Sequence, residues 1–476
     1  MKWKSIEQLS ADIRAGKTTA VELAEAALKR AKEVEEYNAL ITVIEDAVDR
    51  AKEVDAAIKA GELDDSPLAG IPYVAKDNYL TKGVRTTAAS NILSNFVPEF
   101  SSTVIEKINQ AGGVLIAKAN HDAFAHGSSN ENSDFGPVLN PHDKTRVPGG
   151  SSGGVAAAVE LGIVPFGLGS DTGGSIRQPA SFTGTVGYKP TYGLTSRYGV
   201  VAMISSTDTM GPIASSAQDC ATVLEVISGR DENDSTTIER DQHAYTDLDS
   251  SLKGKKIGVI KEYLGEGVAP AVKESIETAA SAAKEQGAEV VEVSIPNIEN
   301  ALPAYYIIMP AEVSSNLSRY DGIRYGATQE GKDLEDVYIQ SRTKGFNDEN
   351  KRRIMMGTYV LSSGYYDAYY KKAQAVRTLL IQEFEKVFVD VDFLIGPTAP
   401  TTAFELGRNT EDPLEMYLAD IMTVAVSLVG VPAISIPSGK DEDSLPIGLQ
   451  VIAPQRHDRE LLGIASGFES VLGYES

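Results

Sequence analysis

Two serine turns and one lysine are the residues of this sequence whose types and spacing could do chemistry. The first turn is Gly149-Gly150-Ser151-Ser152-Gly153-Gly154 and the second is Gly173-Gly174-Ser175, with Lys76 far upstream in LAGIPYVAKDN. Paired glycines allow positive φ and close backbone approach, so a serine in such a turn can be surrounded by N–H groups that would hold an oxyanion. A serine is a weak nucleophile at neutral pH and needs a base. No histidine is placed by its spacing to serve. A lysine can serve if desolvation leaves its amine neutral, and Lys76 stands at the end of an apolar stretch. Read singly, a Gly-Gly-Ser turn is chain punctuation and a lysine ending a strand is solvated; two such turns flanking one helix-strand unit argue for a site.

Three other chemistries are excluded by context. Gly149 to Gly153 matches G-x-S-x-G, but a nucleophile elbow needs a strand before it, and Asn140 to Pro148 reads as a loop. A phosphate-binding P-loop needs Lys and Ser/Thr after its last glycine, whereas Val155 and Ala156 follow Gly154. His121 and His126, the closest histidines, are off the i,i+4 spacing of a helical metal pair, so no structural or catalytic metal is expected.

The elements that must position these residues alternate. Val155–Leu161 suits a short buried helix and Ile163–Leu168 a strand. Leu68 to Asn78 reads as a buried strand delivering Lys76, whose side chain alternation would set opposite that of Asp77. Strands are also expected at Val114–Lys118, Val186–Lys189, Lys255–Ile260, Ala288–Ser294, Asp392–Ile395, Ala433–Ile436 and Gly448–Ile452, with helices between. The fold class is therefore α/β, a large mixed sheet covered by helices on both faces. The organisation expected is a single domain over 1–476: an all-helical outer layer at 1–65 with capping boxes at Ser5/Gln8 and Thr19/Glu22, a catalytic core at 66–230, an acidic surface loop at 231–253, and a C-terminal part at 254–476 that completes the sheet.

A net charge of −23 over 476 residues argues against this chain itself gripping a phosphate backbone, so any nucleic acid would be held by a partner. The single cysteine, Cys220, permits no intrachain disulfide and fits a reducing cytosol. No apolar run reaches the length of a membrane span, and the N-terminus is too polar for a signal peptide.

With Lys76 in GIPYVAKDN, Ser151 in GGSSGG and Ser175 in DTGGSIRQPA, the chain resembles the amidase signature family. That resemblance implies the amidase signature fold and a triad of a lysine, a serine preceded by a cis peptide and a nucleophilic serine, which here are Lys76, Ser151 and Ser175. The backbone of Thr172, Gly173, Gly174 and Ser175 would form the oxyanion hole. Further stretches, GSSNENSDFGPVLNP, RRIMMGTYVLSSGYYDAYYKKAQ and DIMTVAVSLVGVPAISIP among them, look like the branch formed by the A subunits of the Asp/Glu-tRNA amidotransferases.

What the branch implies is hydrolysis of glutamine, with the ammonia passed to a B subunit that binds tRNA and ATP with magnesium, and a small C subunit that serves as a brace. No cofactor is implied in this chain. Ser128, Tyr306, Arg353 and Asp420 match positions that would hold glutamine, Arg353 taking its carboxylate and Asp420 its ammonium. Two departures from the common pattern are His126, where relatives often carry methionine, and Thr183, where many carry cysteine. The rival readings are a stand-alone amidase acting on another small or aryl amide, and a nucleotide-binding or scaffolding module, against which the absent P-loop lysine speaks.

Overall fold

Among the residues described by the computed structural model, 2–408 and 418–474, eleven strands form one sheet. In chain order they are β1 (Leu40–Val43), β2 (Pro72–Lys76), β3 (Val114–Ala119), β4 (Phe166–Asp171), β5 (Val186–Lys189), β6 (Thr209–Ala214), β7 (Lys256–Ile260), β8 (Glu289–Val293), β9 (Phe393–Pro397), β10 (Ala433–Lys440) and β11 (Pro446–Ile452). Their spatial order is β1-β3-β2-β4-β6-β5-β10-β11-β9-β7-β8. The sheet is mixed, as expected: β2 runs parallel to β3 and β4, β7 parallel to β8 and β9, and the remaining pairs are antiparallel.

Helices cover both faces, and the strands show why. In β9, Phe393 and Ile395 enter one apolar core and Leu394 the other, so successive side chains bury on opposite sides. The strands β2, β3 and β4 are buried at every position. A strand paired on both edges and covered on both faces reads as a continuous apolar run, which is why β2 and β3 are legible in the sequence.

Three local expectations change. The stretch 1–65 contains β1, an edge strand pairing antiparallel with β3, because Ile41, Thr42 and Val43 are β-branched and suit a pleated edge better than a helix. The flanking helices form as expected: Ser5 accepts from the Gln8 N–H, and Thr19 and Glu22 make a reciprocal box. The segment 231–253 holds no helix or strand, but Asp234, Tyr245 and Leu252 are buried, so it is packed down rather than lying free on the surface. Finally β6 has no counterpart among the expected strands, since Met210-Gly-Pro-Ile carries a proline. The fold accommodates it because β5 pairs with β6 only at Ala214 and Ile213, leaving Pro212 without a ladder partner on that side.

This topology sets the site. The parallel strands β2 and β4 end side by side, in register from Tyr73 opposite Phe166 to Ala75 opposite Leu168. Lys76 therefore leaves β2 beside the end of β4, from which the chain runs straight into the second serine turn. The first turn leads into the helix Gly153–Glu160, buried along its first seven residues against the same strands. The C-terminal part, 254–476, adds β7 to β11; its residues 409–417 and 475–476 lie outside the described residues.

Candidate active site

Lys76 is fully buried, and its amine is enclosed by three serine hydroxyls: Ser151 Oγ at 2.7 Å, Ser152 Oγ at 3.0 Å and Ser170 Oγ at 3.0 Å. Among the described residues no carboxylate lies at ion-pair distance from it. Burial pushes its pKa down to about 7, against the opposing pull of Asp122, Asp171 and Asp208. A neutral amine has two N–H groups and one lone pair, which matches three hydroxyl neighbours. Two of the hydroxyls are otherwise engaged. Ser152 Oγ donates to the Ser170 carbonyl at 3.3 Å, and Ser170 Oγ accepts from Asn78 Nδ2 at 3.0 Å. Ser151 Oγ has only Lys76 as a partner among the described residues and lies nearest to it, so its hydroxyl proton is placed to meet the amine lone pair.

Ser151 and Ser152 lead into the helix Gly153–Glu160, and the Gly150–Ser151 peptide is cis. Gly150 is required there: a Cβ would lie 2.9 Å from the Ser129 nitrogen and collide with the Asp122 carboxylate. Ser175 is 7% exposed where Lys76 and Ser151 are sealed, so of the three it is the one with open surface. The Ser152 N–H donates to the Ser175 carbonyl at 3.1 Å, which ties the two turns together through the backbone. No hydrogen bond joins Ser151 Oγ to Ser175 Oγ among the described residues.

The second turn is held open by a buried staple. Arg177 Nε donates to Asp171 Oδ2 at 2.9 Å and Nη2 to Asp171 Oδ1 at 2.8 Å, while the N–H groups of Ile176 and Arg177 also reach Asp171 Oδ2. Arg177 Nη1 donates to Gln450 Oε1 at 2.6 Å and Nη2 to Ser427 Oγ at 2.9 Å. Both ends of the turn are thus fixed, and the N–H groups of Thr172, Gly173, Gly174 and Ser175 donate to no other group among the described residues. Gly174, at φ +145°, sits against the Thr423 side chain, and a Cβ on Gly173 would lie 2.6 Å from Tyr305 Oη. Four unspent donors on one glycine turn are what an oxyanion hole needs. Asp171 and Arg177 flank Ser175 at short range in the sequence, a signal the motif contains and that a search for nucleophiles alone overlooks.

Breaking a buried pair by removing one partner leaves an uncompensated charge. Arg177→Met is expected to lower stability by about 3–5 kcal/mol, measured by denaturant unfolding, and to lose the hydrolytic activity with it.

The four residues matched to glutamine positions are distributed as follows. Tyr306 Oη donates to Asp420 Oδ2 at 3.1 Å, and the Arg353 guanidinium lies 6.0 Å from the centre of the Tyr306 ring. Arg353 is 3% exposed and its Nε donates to Glu349 Oε1 at 2.7 Å one helical turn earlier. Burial raises the Asp420 carboxyl to about 7. The Asp420 carbonyl accepts from Thr423 Oγ1 at 3.1 Å, and the same hydroxyl lies 2.5 Å from the Gly173 carbonyl, so this cluster abuts the second serine turn. Ser128 is buried, and its carbonyl accepts from Gln178 Nε2 at 2.9 Å. Of the two departures, His126 packs against Asn350, whose Nδ2 lies 2.8 Å from its Nδ1, three residues before Arg353. Thr183 spends its hydroxyl on the Pro179 carbonyl at 2.8 Å within its own helix. Among the described residues no group of three or more His, Cys, Asp or Glu side chains could hold a metal ion, and no helix is long and apolar enough to cross a membrane.

Comparison with known proteins places this geometry. A relative from Thermoanaerobacter pseudethanolicus, named as the A subunit of glutamyl-tRNA(Gln) amidotransferase, is 52% identical over 98% of this chain and 96% of its own length. One of the same name from Chromohalobacter salexigens is 51% identical over 98% and 96%. The crystal structure of the A subunit of glutamyl-tRNA(Gln) amidotransferase from Thermotoga maritima superposes with a TM-score of 0.79 at 41% identity, covering 95% of this chain and 91% of that one. The peptide amidase of Stenotrophomonas maltophilia is 28% identical with a TM-score of 0.83, covering 98% and 96%. The amidase family model matches residues 22–462, and with the lysine and both serine turns lying inside that span, the chain belongs to the amidase family.

Proposed function

We propose that the chain is the glutamine-hydrolysing component of a tRNA-dependent amidotransferase. The observation that carries this reading is the sealed Lys76 amine among three hydroxyls, next to a glycine turn with four unspent N–H groups. The names of relatives half-identical from end to end support the tRNA amidotransferase, and glutamine as the amide follows from the branch the sequence resembles.

In the mechanism, Ser175 Oγ attacks the side-chain amide carbon of glutamine. Its proton passes to Ser151 Oγ as the Ser151 proton passes to Lys76 Nζ, and the oxyanion is held by the N–H groups of Thr172, Gly173, Gly174 and Ser175. The Ser151 to Ser175 hydrogen bond closes when substrate fixes the Ser175 rotamer, since such bonds often tighten only in the complex. Collapse of the tetrahedral intermediate breaks the C–N bond, the proton returns along the same path, and ammonia leaves. Water then attacks the glutamyl ester by the same relay and releases glutamate. Arg353, anchored by Glu349, takes the α-carboxylate; Asp420, oriented by Tyr306, takes the α-ammonium, whose charge favours ionised Asp420. Ser128 is assigned to the same substrate.

The ammonia passes to a B subunit that binds Glu-tRNA(Gln) or Asp-tRNA(Asn) and uses ATP with magnesium, and a C subunit braces the pair in the cytoplasm. A chain of charge −23 leaves the tRNA to its partner. The test is ammonia release from glutamine by the purified chain with and without co-expressed B and C subunits. The expected result is glutamine hydrolysis that rises on assembly. Strong hydrolysis of a different small or aryl amide by the chain alone, unmoved by partners, would overturn the reading in favour of a stand-alone amidase.

A further inference from the structure

The loop after β3 brings a carboxylate into the heart of the site. Asp122 is fully buried and makes no ion pair among the described residues. Its Oδ2 accepts from the Asn130 N–H at 3.0 Å and its Oδ1 from the Asn132 N–H at 3.1 Å. Its own N–H donates to the Ser151 carbonyl at 3.3 Å. One residue earlier, the Gly150 N–H donates to Gln178 Oε1 at 2.8 Å, and Gln178 Nε2 donates to the Ser128 carbonyl at 2.9 Å. The chain from Ser128 to Asn130 closes this into a ring around the Gly150–Ser151 peptide. Glycines at 127 and 150 leave the room the carboxylate occupies, since a Cβ on Gly127 would lie 2.5 Å from Asp122 Cγ.

We propose that Asp122 is a positioning residue for the Lys76–Ser151 pair: its backbone N–H holds the Ser151 carbonyl, and its carboxylate supplies the buried negative charge that stabilises the proton Lys76 takes up during attack. The inference rests on the reading of Lys76 as the base. A simpler alternative is that Asp122 is only a double acceptor for two backbone N–H groups, which an asparagine could not fully replace because its NH2 would face a donor.

The charges around Lys76 single out Asp122. Those facing it are Asp122, Asp171 and Asp208, with Asp77, Lys118 and His121 on the neighbouring chain. Asp77 is paired with Lys118 at 3.2 Å and Asp171 with Arg177 at 2.8 Å. Asp208 accepts from Thr172 Oγ1 at 2.7 Å and from the Met203 and Ile204 N–H groups. His121 is held neutral by burial. Asp122 and Asp208 are thus the two without a cation, and Asp122 is the one hydrogen-bonded to Ser151, the serine nearest the Lys76 amine; burial raises its own carboxyl to about 7, against the pull of the Asn132 and Asn130 N–H groups and of Lys76.

The experiment measures the pH dependence of kcat/KM for glutamine in the assembled complex. Asp122→Asn is expected to move the acid limb down by on the order of one pH unit, because Lys76 loses a stabilising anion, and to lower the limiting kcat by up to about tenfold, because the base is weaker. Asp219→Asn is the control. Asp219 is another buried acid, raised to about 6, but it caps the chain at the Ile6 N–H and does not face Lys76. It should leave the acid limb in place. An unmoved acid limb in folded Asp122→Asn would overturn the proposal and support the simpler alternative.

A reciprocal measurement needs no change at 122. With 13C-labelled aspartate, the Asp122 carboxyl should titrate near neutrality, and Lys76→Met should move its midpoint upward. No movement would overturn the proposal. This readout uses no substrate, so it stands apart from the amidase reading, which a wild-type complex releasing no ammonia from glutamine would sink.

Discussion

Ser175→Ala is expected to lower ammonia release from glutamine by about 10⁴-fold or more, while the assembled complex continues to amidate its tRNA with free ammonium. In the proposed mechanism the substitution removes the only side-chain atom that forms a bond to the substrate. The turn itself should survive, because it is held by Asp171, Arg177 and the Ser152 N–H, none of which uses the Ser175 hydroxyl. On the proposed reading the two activities separate, because the first belongs to this chain and the second to the partner that would activate the tRNA. Assaying both on one preparation checks the result, and loss of both in a correctly assembled complex would contradict the assigned role.

Lys76→Met is expected to cost about 10³-fold in kcat/KM, within the range for loss of a general base. Lys76→Arg should fail as badly, since a guanidinium keeps its charge at all working pH and cannot accept the proton. The wild-type pH profile carries the same information with its sign. Burial disfavours the ammonium, so the neutral amine gains population as pH rises through about 7. Activity should therefore climb tenfold per unit below that value and level off above it. A profile flat through the region from about pH 6 to 8, with glutamine saturating and the complex intact, would contradict a lysine base.

The parts of the site that are legible in the sequence are those where residue type and local context agree. Lys76 ends an unbroken apolar run, and only a central buried strand tolerates such a run, so the lysine has to emerge near the core. Ser151 sits between two glycine pairs and Ser175 directly follows one, a pattern that no helix or strand interior would keep. What sequence alone hides is whatever the fold assembles from a distance. Ser170 lies inside β4 and reads as one more strand residue, yet register with β2 puts its hydroxyl 3.0 Å from Lys76. Gln450 reaches Arg177 across a separation of 273 residues, and Thr423 reaches Gly173 across 250.

The strands show the same division. β2, β3 and the start of β10 are legible from composition, because burial on both faces favours a run of mostly apolar side chains. β6 hides behind Gly-Pro, and β1 behind a stretch whose neighbours are helical, since an edge strand of four residues leaves little periodic signal. Asp122 illustrates the limit best. Between His121 and Ala123 it is an ordinary loop acid, and only the folded chain brings two backbone N–H groups and the Ser151 peptide to it.

The most direct test of the relay is to trap its covalent intermediate. The assembled complex is incubated with a glutamine-mimicking electrophile and the adduct is mapped by peptide mass spectrometry at pH values on either side of 7, the value to which burial brings Lys76. The account predicts a single acyl adduct on the peptide bearing Ser175, formed faster at the higher pH and absent from Lys76→Met. An adduct on another side chain, or one on Ser175 that forms at the same rate without the lysine, would contradict it.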